Sequence, residues 1–219
     1  MSHDEYATEP VPGLPDNLPD GEHLIWQGQP TWRALVVRAF HVRKLVIYFV
    51  ALWAAFALYY AYQDQYAMIA TVALRLAIPL VLGVAVLCGL AALYARMTIY
   101  TITNRRVVIR SGVALPISVN VPFAQVLSAG SFHHGDETSD IALEVAADQN
   151  ASYVVLWPNV RPRHFRRPQP MMRGVADGRR AADLLSGVLQ EFVAADDDDA
   201  LPRIDVAPTD ARAQQRASA

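Results

Sequence analysis

Two long apolar runs without a charged residue constrain the fold more than any other feature of this sequence. The first, Leu45–Tyr62, has 18 residues, and the second, Leu76–Tyr94, has 19. As a helix, the first run reaches about 27 Å, close to the roughly 30 Å hydrocarbon core of a bilayer. Met68–Leu74 extends the second run if Arg75 directs its guanidinium towards the interface. The core helix of a soluble protein is the alternative, but two such runs so close together favour transmembrane helices.

The connection between the two runs is too short to hold a domain, so the helices are expected to form an antiparallel hairpin. Both outer flanks then lie on the same side of the membrane. These flanks are basic, with Arg33, Arg38, Arg43 and Lys44 before the first run and Arg96, Arg105, Arg106 and Arg110 after the second. Positive flanks are retained in the cytoplasm. The sequence therefore predicts a multi-pass membrane protein with both termini on the cytoplasmic side and residues 63–67 as the connection on the opposite side.

The charges are segregated along the chain. Residues 1–30 carry six acidic residues and no Lys or Arg, whereas residues 31–180 carry sixteen Lys or Arg against seven acidic residues. Residues 181–219 are acidic again, with eight acidic residues against three Arg. A basic middle built around two spans favours contact with anionic lipid headgroups rather than with nucleic acid.

After the second run, the pattern changes from helical to alternating. The first predicted strand is Met97–Thr103. Five more are predicted after it: Arg106–Arg110, Ile117–Val121, Val126–Ser131, Ile141–Val145 and Tyr153–Trp157. An amphipathic helix begins near Asp177 as its N-cap, with apolar residues three and four apart. Short strands followed by one helix predict an α+β unit in which the helix covers a curved sheet.

The segment Thr98–Gly112, directly after a membrane hairpin, resembles the opening hairpin of bacterial membrane-anchored pleckstrin-homology (PH) domains. The predicted fold is therefore membrane α+β, a two-helix transmembrane hairpin plus a cytoplasmic PH-like β-barrel capped by a C-terminal helix. The expected divisions are a disordered tail (1–17), a cytoplasmic pre-membrane segment (18–44), the spans (45–62 and 68–95), the PH-like domain (96–194) and a disordered acidic tail (195–219).

The sequence offers little for catalysis or for a cofactor. It has no Gly-rich phosphate loop, His-Glu-x-x-His or Cys-x-x-Cys pattern. His133 and His134 precede three acidic residues, but adjacent strand residues point to opposite faces, so a shared metal is not expected. Neither span contains a histidine to ligate a pigment, and His41, before the first span, fits a headgroup-level role better. We expect a non-enzymatic protein without metal or cofactor.

The most informative polar stretch is Arg161–Arg173, which holds five arginines and is kept extended by its prolines. Two interpretations remain open, which are contact with anionic lipid and docking to an acidic, cytoplasm-facing surface of a partner protein. The candidate lipid- or partner-binding residues are Arg161, Arg163, Phe165, Arg166, Arg167, Met171, Met172, Arg173, Arg179 and Arg180. The candidate membrane-interface residues are Arg38, His41, Arg43, Lys44 and Arg96.

Three segments, Leu18–Arg33, Ala39–Lys44 and Arg167–Arg173, extend the resemblance to a narrower family. Together with the hairpin they are similar to the PuhB-type photosynthetic-complex assembly proteins of purple bacteria, over about residues 14–193. The resemblance implies a non-catalytic factor that helps to build the reaction centre and its core light-harvesting antenna in the photosynthetic intracytoplasmic membrane. Reaction-centre and core-antenna subunits would then be its partners. The family offers no catalytic residues to carry over.

The competing interpretation is a general envelope protein whose PH-like domain binds lipid or oligomerises, without a photosynthetic role. Small residues four apart, such as Ala85 and Gly89, allow helices to approach closely. They favour packing of the hairpin against itself, with a helix of a partner or of a second copy as the alternative. The gene neighbourhood is the observation that would separate a photosynthetic assembly protein from a general envelope protein.

Overall fold

The computed structural model describes residue 14 and residues 18–112, 117–146 and 152–200. The helices are α1 (Trp32–Arg38), α2 (Val42–Tyr62), α3 (Tyr66–Met97), α4 (Tyr153–Leu156) and α5 (Gly178–Ala200). The strands are β1 (Leu24–Gly28), β2 (Ile99–Thr103), β3 (Arg106–Ser111), β4 (Ile117–Pro122), β5 (Val126–His133), β6 (Ser139–Val145) and β7 (Met171–Val175).

The helices α2 and α3 form the hairpin, with 21 and 32 residues joined by a three-residue connection, and both are long and apolar enough to cross a membrane. The predicted spans 45–62 and 68–95 fall inside them. Their most apolar windows are 0 % and 6 % buried within the protein. A core helix of a soluble protein buries its apolar residues, whereas these helices expose theirs. Their surface therefore calls for apolar surroundings that the described residues do not supply.

The strands form two antiparallel sheets. The first has the order β1-β2-β3-β4 and the second has the order β5-β6-β7. Among the described residues no strand pairing joins the two sheets, so the predicted PH-like β-barrel takes the form of two sheets with α5 packed against them. The alternating apolar residues of β2, β3 and β6 point inwards and meet the apolar face of α5, including Leu185 and Val188. This shared core makes the sheets and α5 one packed unit.

The segment before the first span belongs to the first sheet and is not a separate element. Its strand β1 pairs with β2 in antiparallel register, from Leu24 opposite Thr103 to Gly28 opposite Tyr100. The chain then enters α1, which packs on the end of α3. The predicted pre-membrane segment, residues 18–44, therefore contributes a strand to the first sheet, because main-chain pairing joins β1 to β2.

Only one residue, Thr98, separates α3 from β2. Its hydroxyl donates a hydrogen bond of 2.8 Å to the carbonyl of Tyr94, which closes the last turn of the helix. The helix that runs through the apolar hairpin thus continues directly into the second strand of the four-stranded sheet.

Several predicted boundaries need correction. Tyr153–Trp157 was expected to be a strand, but Tyr153–Leu156 is the short helix α4. Met97 ends α3 instead of opening a strand. The last helix does begin after Asp177, but it continues to Ala200, into the tail expected to be disordered from residue 195. Leu14 is buried, which contradicts disorder at that position of the predicted tail 1–17. The remainder of both predicted tails lies outside the described residues.

Candidate functional site

The base of the hairpin, defined here as α1 together with residues 91–97 of α3, is the place where the apolar helices meet the sheets. Leu35 of α1 and Ala39, its C-cap, are buried against Ala91, Tyr94 and Ala95 of α3. The three alanines let the backbones lie close together. The chain turns at His41, in a left-handed conformation (φ 53°), and enters α2. The base therefore fixes where α2 and α3 leave the cytoplasmic domain.

Four of the five predicted membrane-interface residues lie exposed around this base. His41, Arg43 and Lys44 surround the start of α2, and Arg96 is in the last turn of α3. Arg38 differs, because its guanidinium forms ion pairs with Asp136 (3.0 Å) and Asp140 (3.5 Å) and also bonds Thr138. The prediction for Arg38 is corrected accordingly, since its side chain ties α1 to the turn between β5 and β6 instead of facing headgroups.

Asp140 connects four parts of the chain. Its carboxylate accepts a hydrogen bond from the backbone N–H of Gly174 (2.7 Å), pairs with Arg38 and lies 3.1 Å from Nε2 of His134. His133 instead contacts Ser139, at 2.7 Å. The two histidines thus have separate partners, and no group of three or more metal-ligating side chains comes together among the described residues.

The neighbouring turn is held by a hydrogen bond within it. The hydroxyl of Thr138 donates to Asp136 at 2.7 Å. This hydrogen bond, with the Arg38 guanidinium as a smaller cause, holds the pKa of Asp136 below its usual range. The Asp136 carboxylate is exposed, so we expect the pairing to shape the turn more than to stabilise the fold.

A chain of buried hydrogen bonds joins the hairpin to both sheets. Nδ2 of Asn159 donates to the hydroxyl of Tyr94 in α3 (2.9 Å), and its Oδ1 accepts from the hydroxyl of Tyr100 in β2 (2.9 Å). The Tyr100 hydroxyl in turn accepts from the backbone N–H of Arg173 in β7 (3.1 Å). Burial raises the pKa of Tyr100, so this hydroxyl keeps its proton.

Two aromatic contacts hold the arginine loop, residues 161–167, and the segment before it. Just before it, the Trp157 ring contacts the ring of Phe40, the residue that follows α1 and its C-cap, with centroids 5.6 Å apart. Within it, the Phe165 ring lies 4.7 Å from that of Tyr153 in α4. The loop and α4 therefore sit beside the point where the chain enters α2.

The predicted lipid- or partner-binding residues fall into two groups. Arg161, Phe165 and the remaining loop arginines, Arg163, Arg166 and Arg167, are exposed, and so are Arg179 and Arg180 in the first turn of α5. Met171, Met172 and Arg173 lie buried in β7, opposite β6. None of the three is exposed as predicted, because Met172 points into the core shared with α5, whereas Met171 and Arg173 are buried on the opposite face of β7, towards α1.

A cavity of about 560 Å³ opens beside the base of the hairpin, and we call it the hairpin-base cavity. Val37, Arg38 and His41 line one wall, and residues of β5 and β6 line another. Arg161 and the buried Arg173 also face it. This cavity was not predicted from the sequence, because it forms between elements far apart in the chain.

The bacterial PH domain family matches residues 34–188, well over half of the chain. The chain belongs to the bacterial PH domain family. The match begins in α1 and ends in α5, so it takes in the hairpin as well as the sheets. The prediction of a PH-like domain is thereby confirmed at the level of the family. The strand β1 lies before the region that the family matches.

One relative covers almost the whole chain. It is described as an uncharacterized 23.7 kDa protein in the puhA 5′ region of Rhodobacter capsulatus. The two are 34% identical over 193 residues, which span 87% of this bacterial PH domain protein and 90% of the relative. No solved structure matches the chain.

Proposed function

We propose that this bacterial PH domain protein is a non-catalytic, membrane-anchored assembly factor for the photosynthetic reaction centre and its core light-harvesting complex. The observation that carries this function is the relative from R. capsulatus, whose name places it in the 5′ region of puhA. The gene name puhA and the family name PuhB share the prefix puh. Leu18–Arg33 and Arg167–Arg173 of this chain resemble that PuhB-type family. An assembly role accounts for the apolar hairpin and for the exposed arginines of the arginine loop. It also fits the described residues, among which we find no catalytic group of side chains.

In this function α2 and α3 cross the photosynthetic intracytoplasmic membrane, and the sheets lie in the cytoplasm. The exposed apolar surface of both helices supports insertion. Arg43, Lys44 and Arg96 mark the cytoplasmic end, which leaves Gln63–Gln65 on the periplasmic side and both termini in the cytoplasm. The spans hold the domain next to newly inserted subunits, so its basic surface meets their cytoplasmic faces at high effective concentration.

The arginine loop is the part of the domain best placed for such contacts. Arg163, Arg166 and Arg167 are exposed, and the loop is fixed beside the start of α2 by the Trp157–Phe40 contact. A membrane-embedded subunit that contacts the hairpin would bring its own cytoplasmic residues to the same level. Acidic residues there would pair with the loop arginines.

A second candidate function is supported by the apolar side chains around the loop. Val154 is 79% exposed and Phe165 is 67% exposed, beside a half-exposed Trp157. Aromatic and apolar side chains with nearby arginines are typical of a membrane interface. In a general envelope protein, the same surface would hold the domain on lipid without any photosynthetic partner.

Affinity purification of the tagged full-length protein from mild-detergent photosynthetic membranes tests the proposed function. We expect reaction-centre or core-antenna polypeptides to co-purify, partly as incomplete complexes, as read by mass spectrometry and absorption. Membranes from cells that are not building these complexes provide the control. Recovery of the protein alone, or with lipid only, from cells that are actively building them would contradict the assembly role and favour the general envelope protein.

Charge reversal separates partner docking from lipid contact at the arginine loop. In the double variant Arg166→Glu/Arg167→Glu, we expect recovery of photosynthetic polypeptides to fall by about tenfold, because two peripheral ion pairs contribute up to roughly 1 kcal/mol each. The matched control is Arg179→Glu/Arg180→Glu, which makes the same change in the exposed first turn of α5 and should alter recovery less than about twofold.

Liposome co-flotation of the same variants supplies the second readout. Partner docking predicts that the loop variant keeps its contact between the PH domain and anionic vesicles while it loses the polypeptides. An equal loss of both would assign the loop to lipid, and an equal effect of both double variants would show that only net charge matters.

A further inference from the structure

The hairpin-base cavity has the size of a ligand site. Its volume of about 560 Å³ lies within the roughly 300–1,000 Å³ of typical small-molecule pockets. It is bounded by α1 and His41 on one side and by β5 and β6 on the other, with Arg161 and Arg173 facing the same space. Four separate parts of the chain thus contribute walls, which makes it a feature of the fold and not of one loop.

Two positive charges face this cavity with only neutral hydrogen-bond partners. The guanidinium of Arg161 donates to the amide oxygen of Gln169, at 2.9 Å. The guanidinium of Arg173 donates from Nη2 to the carbonyl of Val160, also at 2.9 Å. Within the described part of the chain, no carboxylate lies within ion-pair distance of either group.

Arg173 is the more telling of the two. The residue is only 5% exposed, and its Nε–H has no hydrogen-bond partner among the described residues. Burial lowers the pKa of Arg173, although the nearby Asp140 opposes this effect. Asp140 itself is engaged by Arg38 and His134 and by a backbone N–H. A buried guanidinium without a paired anion is costly, so an anion in the adjoining cavity would stabilise it.

The remaining lining residues of the cavity are of two kinds: a polar group, in which Asp140 is already paired with Arg38 and His134, and a set of apolar side chains. Val37, Phe132, Ala142 and Met171 line it, and Val37 and Phe132 are substantially exposed at the surface of the protein. A small inorganic anion needs only the arginines, whereas a ligand with a charged group and a hydrocarbon chain uses both kinds of wall. Phospholipids have this combination.

The position of the cavity favours the same ligand. One of its lining residues is His41, the residue directly before α2, which is one of the two apolar helices. With the hairpin inserted, the cavity therefore lies at the level of the cytoplasmic headgroups. We propose that the hairpin-base cavity binds the phosphate-bearing headgroup of an anionic phospholipid, with Arg161 and Arg173 facing the phosphate. This site depends on the proposed membrane insertion but not on the photosynthetic role.

Native mass spectrometry of the full-length protein in detergent tests the site, with phosphatidylglycerol and phosphatidylcholine of identical acyl chains as probes. We expect phosphatidylglycerol to bind at least fivefold more than phosphatidylcholine. Arg161→Gln removes one charge at the cavity and should lower phosphatidylglycerol binding by about fivefold to tenfold. Arg105→Gln, an exposed arginine in the turn between β2 and β3 that does not line the cavity, is the matched control and should change binding less than twofold.

A second variant fills the cavity without removing a charge. Gly130 lines it from β5, and a Cβ at this position would meet no atom within 4 Å. Gly130→Leu should therefore fold normally, as checked by an unchanged melting temperature, and abolish most of the phosphatidylglycerol preference. Equal binding by wild type, Arg161→Gln and Gly130→Leu would overturn the proposed site, as would an equal loss in Arg161→Gln and Arg105→Gln.

Inorganic phosphate distinguishes a free anion from a lipid headgroup. The lipid site predicts that millimolar phosphate neither raises the melting temperature nor displaces phosphatidylglycerol. Stabilisation by phosphate that disappears in Arg161→Gln, with no preference between the two lipids, would overturn the phospholipid assignment. A failed pull-down of photosynthetic polypeptides would leave this test unaffected, so the two proposals can fail separately.

Discussion

Replacing Glu22 by alanine is expected to lower the free energy of unfolding of the sheet domain by about 3 kcal/mol. The Glu22 side chain is 3% exposed, and its carboxylate receives two parallel hydrogen bonds from Arg106, at 2.7 Å and 2.8 Å. Thr103 donates a third, at 2.8 Å. Removal of the carboxylate leaves the Arg106 guanidinium, which is three-quarters buried, without its partner. The expected loss of stability is therefore near the lower end of the range measured for broken buried ion pairs.

The measurement is thermal unfolding of the purified protein in detergent, followed by near-ultraviolet circular dichroism. A loss of this size corresponds to a fall in Tm of about 10 °C for a domain of this length. Glu191→Ala, at an exposed position of α5, is the matched control and should change stability by less than about 0.5 kcal/mol. A Glu22→Ala variant that melts with the wild type would mean that the segment before the first span is not docked on the sheet.

Two glycines of α5 are expected to respond to alanine with opposite signs. A Cβ at Gly178 would lie 2.6 Å from the backbone nitrogen of Ser139 in β6 and would also meet the Ser139 side chain. Since a backbone atom cannot swing aside, the helix must shift, at a cost of about 2–3 kcal/mol. A Cβ at Gly187 meets nothing within 4 Å. There alanine should stabilise the helix by about 0.5–1 kcal/mol.

The same melting experiment compares two variants that carry the same substitution, glycine to alanine, at two positions of the same helix. We expect Gly178→Ala to melt well below the wild type and Gly187→Ala to melt slightly above it. Two shifts of the same sign would show that helix propensity, rather than the close approach of α5 to β6, decides the outcome at Gly178.

The local sequence pattern was sufficient to predict those helices and strands in which apolar residues recur with a clear period. The uncharged run Leu45–Tyr62 lies within α2, and the β-branched alternation of residues 99–110 corresponds to β2 and β3. It was insufficient for short apolar runs. Tyr-Val-Val-Leu at 153–156 has the composition of a strand but forms one helical turn, because four residues cannot distinguish the two periods. β7 was missed because its Met-Met-Arg-Gly-Val sequence follows a proline-rich stretch.

The candidate site was less accessible to sequence reasoning, for a physical reason. Charge can be counted along the chain, but burial depends on tertiary packing, so Arg173 was grouped with exposed arginines although it is buried in β7. The same holds for Arg38, whose partner Asp136 lies 98 residues away in the chain. Contacts at such separations leave no local signal, and neither does a cavity between four elements. The exposed residues Arg163, Arg166 and Arg167 were placed correctly because proline spacing prevents that loop from folding inwards.

The single residue between α3 and β2 has a mechanical consequence. A flexible tether would let the cytoplasmic unit swivel freely, but Thr98 and the Tyr94–Asn159–Tyr100 hydrogen bonds allow no such hinge. With α3 inserted as proposed, rotation or tilting of this helix would therefore turn the four-stranded sheet through a similar angle. A contact made with the hairpin would then change the direction in which the arginine loop faces, without any unfolding step.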